Sequence, residues 1–280
     1  MTITDLSVGM IPHGVIQGDC IAGMKHMEGG SVQLVVLDPP YNVNYEYDTY
    51  DDKRSAEDYL AWSAAWLSEV YRLLSPTGSF WLVIGPHYVS ELDVLAKRIG
   101  FKWRKHLIWY YTFGQNSTNN FTSSHTHLLY YTKSDDFTFN ADECRVPSAR
   151  QLVYSDKRAN PDGRLPDDTW ILRPQIIDAF GSGEDVWHVP RVAGTFRARR
   201  DTPNQLPEQL VGRIIRLCSN PDDLVFDAFV GSGCTPAVAK KLGRRWCGFE
   251  LSENYAQLAA ERVAAARVGD ALDGPDIQGG

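Results

Sequence analysis

Apolar residues arrive along this chain in short unbroken runs, separated by stretches of helical spacing. Leu34 to Leu37, Phe80 to Ile84 and Leu224 to Phe226 do not alternate with polar residues, the pattern of parallel strands covered on both faces. Val15-Ile16-Gln17-Gly18-Asp19 predicts a further short strand that ends in a turn, with a helix over 20–27 behind it. Ser55 and Asp58 form a capping box, after which Trp62, Trp66, Val70 and Leu73 recur at helical spacing until Pro76 and Gly78. That spacing assigns both tryptophans to the core. A helix over 88–99, strands over 105–111 and 128–132, a helix opening at Pro207 and a strand over 245–250 complete the alternation. The expectation is an α/β fold with a doubly wound, mostly parallel sheet of about seven strands.

Two segments break the pattern. Residues 42–53 lack periodicity and carry Tyr45, Tyr47 and Tyr50, which reads as a loop that orders on a substrate. Residues 135–200 lose the strand–helix alternation and are rich in proline, arginine and aromatic residues. Irregular sequence of that length inside a compact protein is usually functional.

Composition narrows the function classes. Hydrophobic content of 43% without an apolar run of membrane-spanning length predicts a soluble protein without a membrane partner. Met1 to Gly14 has no secretory pattern, so a cytoplasmic location is expected. Cys20, Cys144, Cys218, Cys234 and Cys247 are far apart, which argues against a disulfide framework and against zinc. His125 and His127 have no carboxylate or thiol at ligand spacing, so no metal site is expected. The net charge of -7 speaks against binding nucleic acid through a uniform positive field. Two acid-free basic clusters stand out all the same: Lys97, Arg98, Lys102, Arg104 and Lys105, and the run Arg191, Arg197, Arg199 and Arg200. Each is either a solvated face or a phosphate contact.

Candidate chemistry gathers at the ends of the apolar runs. Asp38 follows Leu37, at the carboxyl edge where open α/β sheets bind ligands. Pro39 and Pro40 remove two N–H donors and leave rigid carbonyl acceptors, and Tyr41 adds a flat face. Acceptors beside an aromatic plate suit a planar heterocycle with an exocyclic amine; the plain alternative is a strand ending in an Asp-Pro turn. Later in the chain, Asp227-Ala228-Phe229-Val230-Gly231-Ser232-Gly233-Cys234-Thr235 is a glycine-rich turn between a strand and a helix. Such a turn admits close backbone approach, and the helix N-terminus favours an anionic group such as a carboxylate. Glu250, at the end of the next strand, stands at the distance along the chain expected of a ribose-binding acid.

Asp38-Pro39-Pro40-Tyr41 followed by the Phe229-Val230-Gly231-Ser232-Gly233 turn resembles the β class of S-adenosylmethionine-dependent DNA amino-methyltransferases. In that class the catalytic motif precedes the cofactor motif, and the likeness covers most of the chain. The resemblance implies one Rossmann-like domain over 1–280 with permuted motif order. Its catalytic half would span about 15–113, an irregular target-recognition insertion about 114–200, a cofactor half about 201–269 and a flexible tail 270–280. Asp38 to Tyr41 would be catalytic, and S-adenosylmethionine would be held by Asp19, Cys20, Gln205, Asp227, Phe229, Gly231, Gly233, Thr235 and Glu250. The segment 202–207 resembles the one that closes over the methionine part of the cofactor. Ala228 and Cys234 depart from the family's usual Pro and Thr.

The implied activity is methyl transfer to adenine N6 in double-stranded DNA after base flipping. Cytosine N4, RNA, and a non-catalytic DNA-binding role on the same fold are the alternatives. Arg191, Arg197, Arg199 and Arg200 are expected to hold phosphates, and Arg150, Lys157 and Arg158 to reach base edges. A homodimer and a partner restriction endonuclease are further expectations of the class. The permuted order also requires that strands 32–37 and 224–228 be neighbours, with Asp38 near Gly231.

Overall fold

The computed structural model describes residues 1–115, 118–146, 148, 150, 154–171 and 205–273. Among these residues one sheet has eight strands: β1 (Gly14–Gln17), β2 (Val32–Leu37), β3 (Leu74–Ile84), β4 (Lys102–Gln115), β5 (Ser123–Thr132), β6 (Thr169–Ile171), β7 (Leu224–Asp227) and β8 (Arg245–Glu250). Their spatial order is β1-β8-β7-β2-β3-β5-β4-β6. The helices are α1 (Cys20–Met24), α2 (Ala56–Leu73), α3 (Val89–Ile99), α4 (Glu208–Cys218), α5 (Cys234–Lys241) and α6 (Glu253–Ala265).

The unbroken apolar runs are explained by cover on both faces. Val35 and Leu37 of β2 pack with Trp66, Leu67 and Val70 of α2 and with Leu92 of α3. Leu34 and Val36 turn the other way, into a second cluster with Leu210 and Ile214 of α4 and Val238 of α5. A strand between two helical layers favours apolar residues at successive positions, and the one polar residue of β2, Gln33, is half-buried and accepts from Leu224 N at 2.9 Å. At about 1.5–3 kcal/mol for each large aliphatic side chain buried, these two clusters supply most of the drive to fold.

Strand β2 lies between β3 and β7, with Leu34 opposite Val225 and Val35 opposite Phe226. Strands from opposite halves of the chain are thus parallel neighbours, as the permuted motif order requires. The β1, β8, β7, β2 and β3 ladders are parallel. The strands over 105–111 and 128–132 prove longer than expected. They form an antiparallel β4–β5 hairpin, with β5 also antiparallel to β3 and no helix between β4 and β5 among the described residues. β6 lies inside the stretch that reads as irregular and pairs with β4 through Trp170, which is buried. Three residues are too few for a period to appear in sequence. α2 passes directly into β3, whose pairing with β2 skips from Leu74 to Ser79, so Pro76 and Gly78 form an irregularity within the strand.

The first basic cluster sits at the amino edge of the sheet, where Lys102 of β4 lies opposite the end of β5. It is paired with acids: Lys97 with Asp93 at 2.5 Å, Arg104 with Asp135 at 2.8 Å and Lys105 with Asp168 at 2.8 Å, while Lys102 stands 3.9 Å from Asp135. These groups form a solvated, salt-bridged face opposite the carboxyl edge. His125 and His127 lie on β5, and His127 Nδ1 is 2.8 Å from His106 Nε2. Burial, ahead of its two histidine neighbours, pushes the His127 pKa down to about 4, so the ring is neutral at pH 7. All five cysteines are buried free thiols. No helix among the described residues is long and apolar enough to cross a membrane.

Candidate active site

Four adjacent parallel strands each deliver an acid to one edge. In spatial order these are Asp19 beyond β1, Glu250 ending β8, Asp227 ending β7 and Asp38 beyond β2. A single cleft gathers them with Cys20, Pro39, Pro40, Tyr41, Gln205, Phe229, Gly231 and Thr235. Asp38 and Gly231 therefore share one site. Gly233 is absent from the lining. It is the N-cap of α5 with φ +75°, and a Cβ there would lie 2.9 Å from Ala259 Cα, so a side chain at this position would be strained and would crowd α6.

At the β2 end, Tyr41 Oη donates to Asp38 Oδ1 at 2.7 Å. Burial, followed by the Asp38 charge, holds the tyrosine pKa well above its ordinary value, so the phenol remains a donor. The two proline carbonyls are not equivalent, because that of Pro40 accepts from the buried Tyr59 hydroxyl at 2.9 Å. Gly85, just beyond β3, makes room for the Tyr41 ring: a Cβ there would come within 2.8 Å of Tyr41 Cδ2.

At the other end, Asp19 caps α1 by accepting from Ala22 N at 2.8 Å. Glu250 accepts from Gly231 N at 2.8 Å and from Ser252 N at 3.0 Å, which aims its carboxylate along the glycine turn. Burial raises the Glu250 pKa against those two bonds. Asp227 accepts from Phe229 N at 2.9 Å, yet burial pushes it up to about 7, with the Phe229 N–H and Thr235 opposing and Glu250 adding to the shift.

Asp227 thus makes stability depend on pH. Between about pH 4, where the unfolded carboxyl titrates, and about pH 7, the folded protein retains a proton that the unfolded chain has released. The contribution falls as pH rises through that window. Asp227→Asn keeps an acceptor for Phe229 N and removes the titration. In urea unfolding the variant should gain roughly 2–4 kcal/mol on the wild type between pH 5 and pH 8.

The loop 42–53 carries its own order. Buried Asp52 accepts from the backbone N–H groups of Asn42, Val43 and Tyr45 at 2.8, 3.0 and 2.9 Å. Asn42 and Asn44 take left-handed φ values of 56° and 65° to make that turn, and the Asn42 side chain bonds the Arg54 backbone in both directions. Asp48 accepts from the hydroxyl of Ser252, the cap of α6. The loop brings Tyr47, Asp48, Thr49 and Tyr50 into the cleft.

Trp66 is fully buried, as its spacing predicts, but Trp62 lines the cleft and packs 5.6 Å from Phe229. Helical spacing identifies the inward face of α2 without distinguishing core from cleft wall. Trp62, Arg54, Tyr50 and Tyr255 are among the lining residues that motif reasoning misses. Of the expected DNA contacts, Arg150 and Arg158 both hold Asp156, at 2.7 and 3.0 Å, and Lys157 is exposed. The Arg158 hydrogen bonds, ahead of those from Arg150, bring the Asp156 pKa down to about 2. Arg191, Arg197, Arg199 and Arg200 lie outside the described residues, as do 202–204 of the closing segment.

The DNA methylase family model matches residues 32–261. The Type II methyltransferase M.HpaI of Haemophilus parainfluenzae is 33% identical over 252 residues, covering 89% of this chain and 73% of that protein. The Thermus thermophilus protein TTHA0409, solved in complex with S-adenosyl-L-methionine, superposes with a TM-score of 0.59 at 25% identity, over 95% of this chain and all of that one. The cytosine-N4-specific PvuII DNA methyltransferase shares the fold, with a TM-score of 0.64 at 19% identity over 92% of this chain and 87% of that one.

The cleft suits the same cofactor. Phe229 and Trp62 offer apolar rings to an adenine, Asp19 and Glu250 offer acceptors to an amine and to ribose hydroxyls, and buried Tyr50 Oη has no hydrogen-bond partner among the described residues. The chain belongs to the N6/N4 DNA methylase family, whose members methylate DNA with S-adenosylmethionine.

Proposed function

We propose that the chain methylates adenine N6 at a specific sequence in double-stranded DNA, acting on a base swung out of the duplex. The observation that carries this reading is the Asp38–Tyr41 pair beside the Gly231–Glu250 turn, on neighbouring parallel strands. Asp at the head of Asp38-Pro39-Pro40-Tyr41 favours adenine over cytosine, as the usage of the resembled class implies.

Bound S-adenosylmethionine supplies an electrophilic methyl group on a sulfonium. The chain's own residues do the rest. Asp19 and Glu250 hold the nucleoside end, Phe229 packs on it, and the turn at Gly231 with Thr235 and Gln205 receives the amino-acid end. Asp227, behind Phe229, holds that turn in shape, and Cys20 fills the floor beside Asp19. Gly233 contributes by seating α5 against α6.

Tyr41 stacks on the flipped base while its hydroxyl fixes the Asp38 carboxylate. Asp38 and the Pro39 carbonyl accept the two amine protons, which turns the nitrogen lone pair toward the methyl; the Pro40 carbonyl is engaged by Tyr59. As the N–C bond formed, the sulfonium S–C bond would break to leave S-adenosylhomocysteine, and the amine's proton would pass to Asp38. Positioning and fixed acceptors carry the rate, without a covalent enzyme intermediate. The base must leave the stack because the amine is otherwise paired in the duplex.

DNA would be held by the segment 114–200, between a catalytic half over 15–113 and a cofactor half over 201–269. Arg191, Arg197, Arg199 and Arg200 would serve phosphates, with Arg150, Lys157 and Arg158 near base edges. Asp156 fixes the Arg150 and Arg158 guanidinium groups before DNA arrives. A companion restriction endonuclease, as for Type II relatives, and a homodimer fit the same reading.

Methylation-sensitive sequencing of DNA from cells expressing the chain tests it. The expected result is N6-methyladenine confined to one short sequence and absent from cells expressing Asp38→Ala. N4-methylcytosine at a fixed sequence would overturn the adenine assignment.

A further inference from the structure

We propose that Tyr50 is a cofactor contact: from the 42–53 loop it donates its hydroxyl to an acceptor on the adenosine moiety of S-adenosylmethionine. The proposal rests on the reading that Asp19 and Glu250 hold that moiety.

Tyr50 Oη is buried and has no hydrogen-bond partner among the described residues. A buried hydroxyl in that state costs about 1–3 kcal/mol, so such groups are rare unless something else completes them. The side chain is not free to relieve the deficit by turning outward. Its ring is packed 5.5 Å from Trp62 and 5.9 Å from Tyr47, and the Arg54 guanidinium lies 4.9 Å from both the Tyr50 and Trp62 ring centres. The loop behind it is tied down by Asp52 and by the Asp48–Ser252 contact. Tyr50 lines the cleft, so an acceptor on a ligand seated there is the partner that this buried hydroxyl lacks.

The neighbourhood identifies the ligand's chemistry. Tyr50 lines the cleft together with Asp19, Cys20, Trp62 and Phe229. Asp19 is an acceptor only, and the two rings present flat faces. A nucleoside also needs donors for its ring nitrogens or ribose oxygens, and the Tyr50 hydroxyl is one. Burial, with the Asp52 and Asp51 charges and against Arg54, pushes the Tyr50 pKa up to about 12, so the hydroxyl keeps its proton at pH 7. An acid and a phenol together match both the donor and the acceptor character of an adenine edge.

Tyr50→Phe isolates the idea, because it deletes one oxygen and leaves the packed ring. Calorimetry with the full-length protein, without DNA, should show Kd for S-adenosylmethionine and for S-adenosylhomocysteine rising by about tenfold, the worth of one hydrogen bond. Melting should show the unliganded variant as stable as the wild type or more so, since the orphaned hydroxyl is gone, while the Tm gain on adding cofactor shrinks. A merely structural hydroxyl would give the reverse, a lower Tm with unchanged Kd, and that result overturns the proposal. Unchanged Kd with a raised KM for DNA would also overturn it, by assigning Tyr50 to the target-base side. If the wild type itself failed to bind S-adenosylmethionine, the cofactor reading would fall as well; equal binding by wild type and variant removes this contact alone.

Discussion

Asp38→Ala should lower the rate of methyl transfer by about 10³-fold while leaving Kd for S-adenosylmethionine within about threefold of the wild type. The asymmetry follows from where the acids stand. Asp38 extends β2, whereas Asp19 and Glu250 end β1 and β8, on the far side of β7. In the proposed site the cofactor's polar contacts would therefore not pass through Asp38. The amine of the proposed target base would depend on it, because an exocyclic amine conjugated to a purine ring is a poor nucleophile until its protons are held and its lone pair is turned out of the ring plane. Alanine removes the charged acceptor and leaves the Pro39 carbonyl alone. Tyr41→Phe offers a graded comparison. It keeps the plate and deletes the 2.7 Å bond that fixes Asp38, so kcat should fall about tenfold with little change in cofactor affinity. Single-turnover rates at saturating cofactor, with Kd from calorimetry, check both. A loss of cofactor binding in Asp38→Ala equal to the loss of rate would contradict the division of the site into two halves.

The second large effect lies behind the cleft. Arg262 on α6 donates to Glu208 Oε1 at 2.7 Å and to the Ser232 carbonyl and hydroxyl at 3.1 and 3.2 Å. The other Glu208 oxygen receives Lys241 Nζ at 2.7 Å and Asp273 N at 2.8 Å. Arg262 and Glu208 are 7% and 2% exposed, so each depends on its partner to remain charged. Burial alone would raise the Glu208 pKa; the Asp273 N–H, Lys241 and Arg262 together outweigh it and hold the carboxyl below its ordinary 4.5.

Glu208→Gln leaves Arg262 and Lys241 facing a neutral amide and should cost roughly 3–5 kcal/mol of stability, a fall in Tm of about 10 °C. A carboxyl with a depressed folded pKa gives stability that is present above its unfolded value and lost as pH falls through the folded one. The gap between wild type and Glu208→Gln should therefore hold from neutral pH to about pH 4.5 and narrow below it. Thermal melts across that range supply the check. A gap that persisted unchanged at about pH 3 would mean the pair contributes by shape and not by charge.

Most of this architecture was legible because burial writes a clear pattern. The run Leu34 to Leu37 signals a strand covered twice, and the acids after it and after Leu224 to Phe226 mark the carboxyl edge. Motif order then pointed to the β2–β7 neighbour relation, and the register confirms it. The illegible features are those set by tertiary geometry. Nothing local separates Trp62 from Trp66, since both lie on the inward face of α2 and only the position of the sheet edge makes one of them a cleft wall. Asp52 reads as one acid among many in 46–58, although its carboxylate organises the loop around three N–H groups. Lys97 to Lys105 looks cationic in sequence because its acidic partners Asp93, Asp135 and Asp168 come from elsewhere in the chain. Gly233 reads as a ligand glycine, and nothing local shows that Ala259 of α6 also presses against it.

One measurement bears most directly on the claim that these two halves form a single amine-methylating site. Purified protein is mixed with S-adenosylmethionine carrying a deuterated methyl group and with matched duplex DNA or RNA, and the digested nucleosides are weighed by mass spectrometry. The account predicts labelled N6-methyladenine from the DNA only, lost in Asp38→Ala. Labelled N4-methylcytosine, label in RNA, or full labelling of DNA by Asp38→Ala would contradict it.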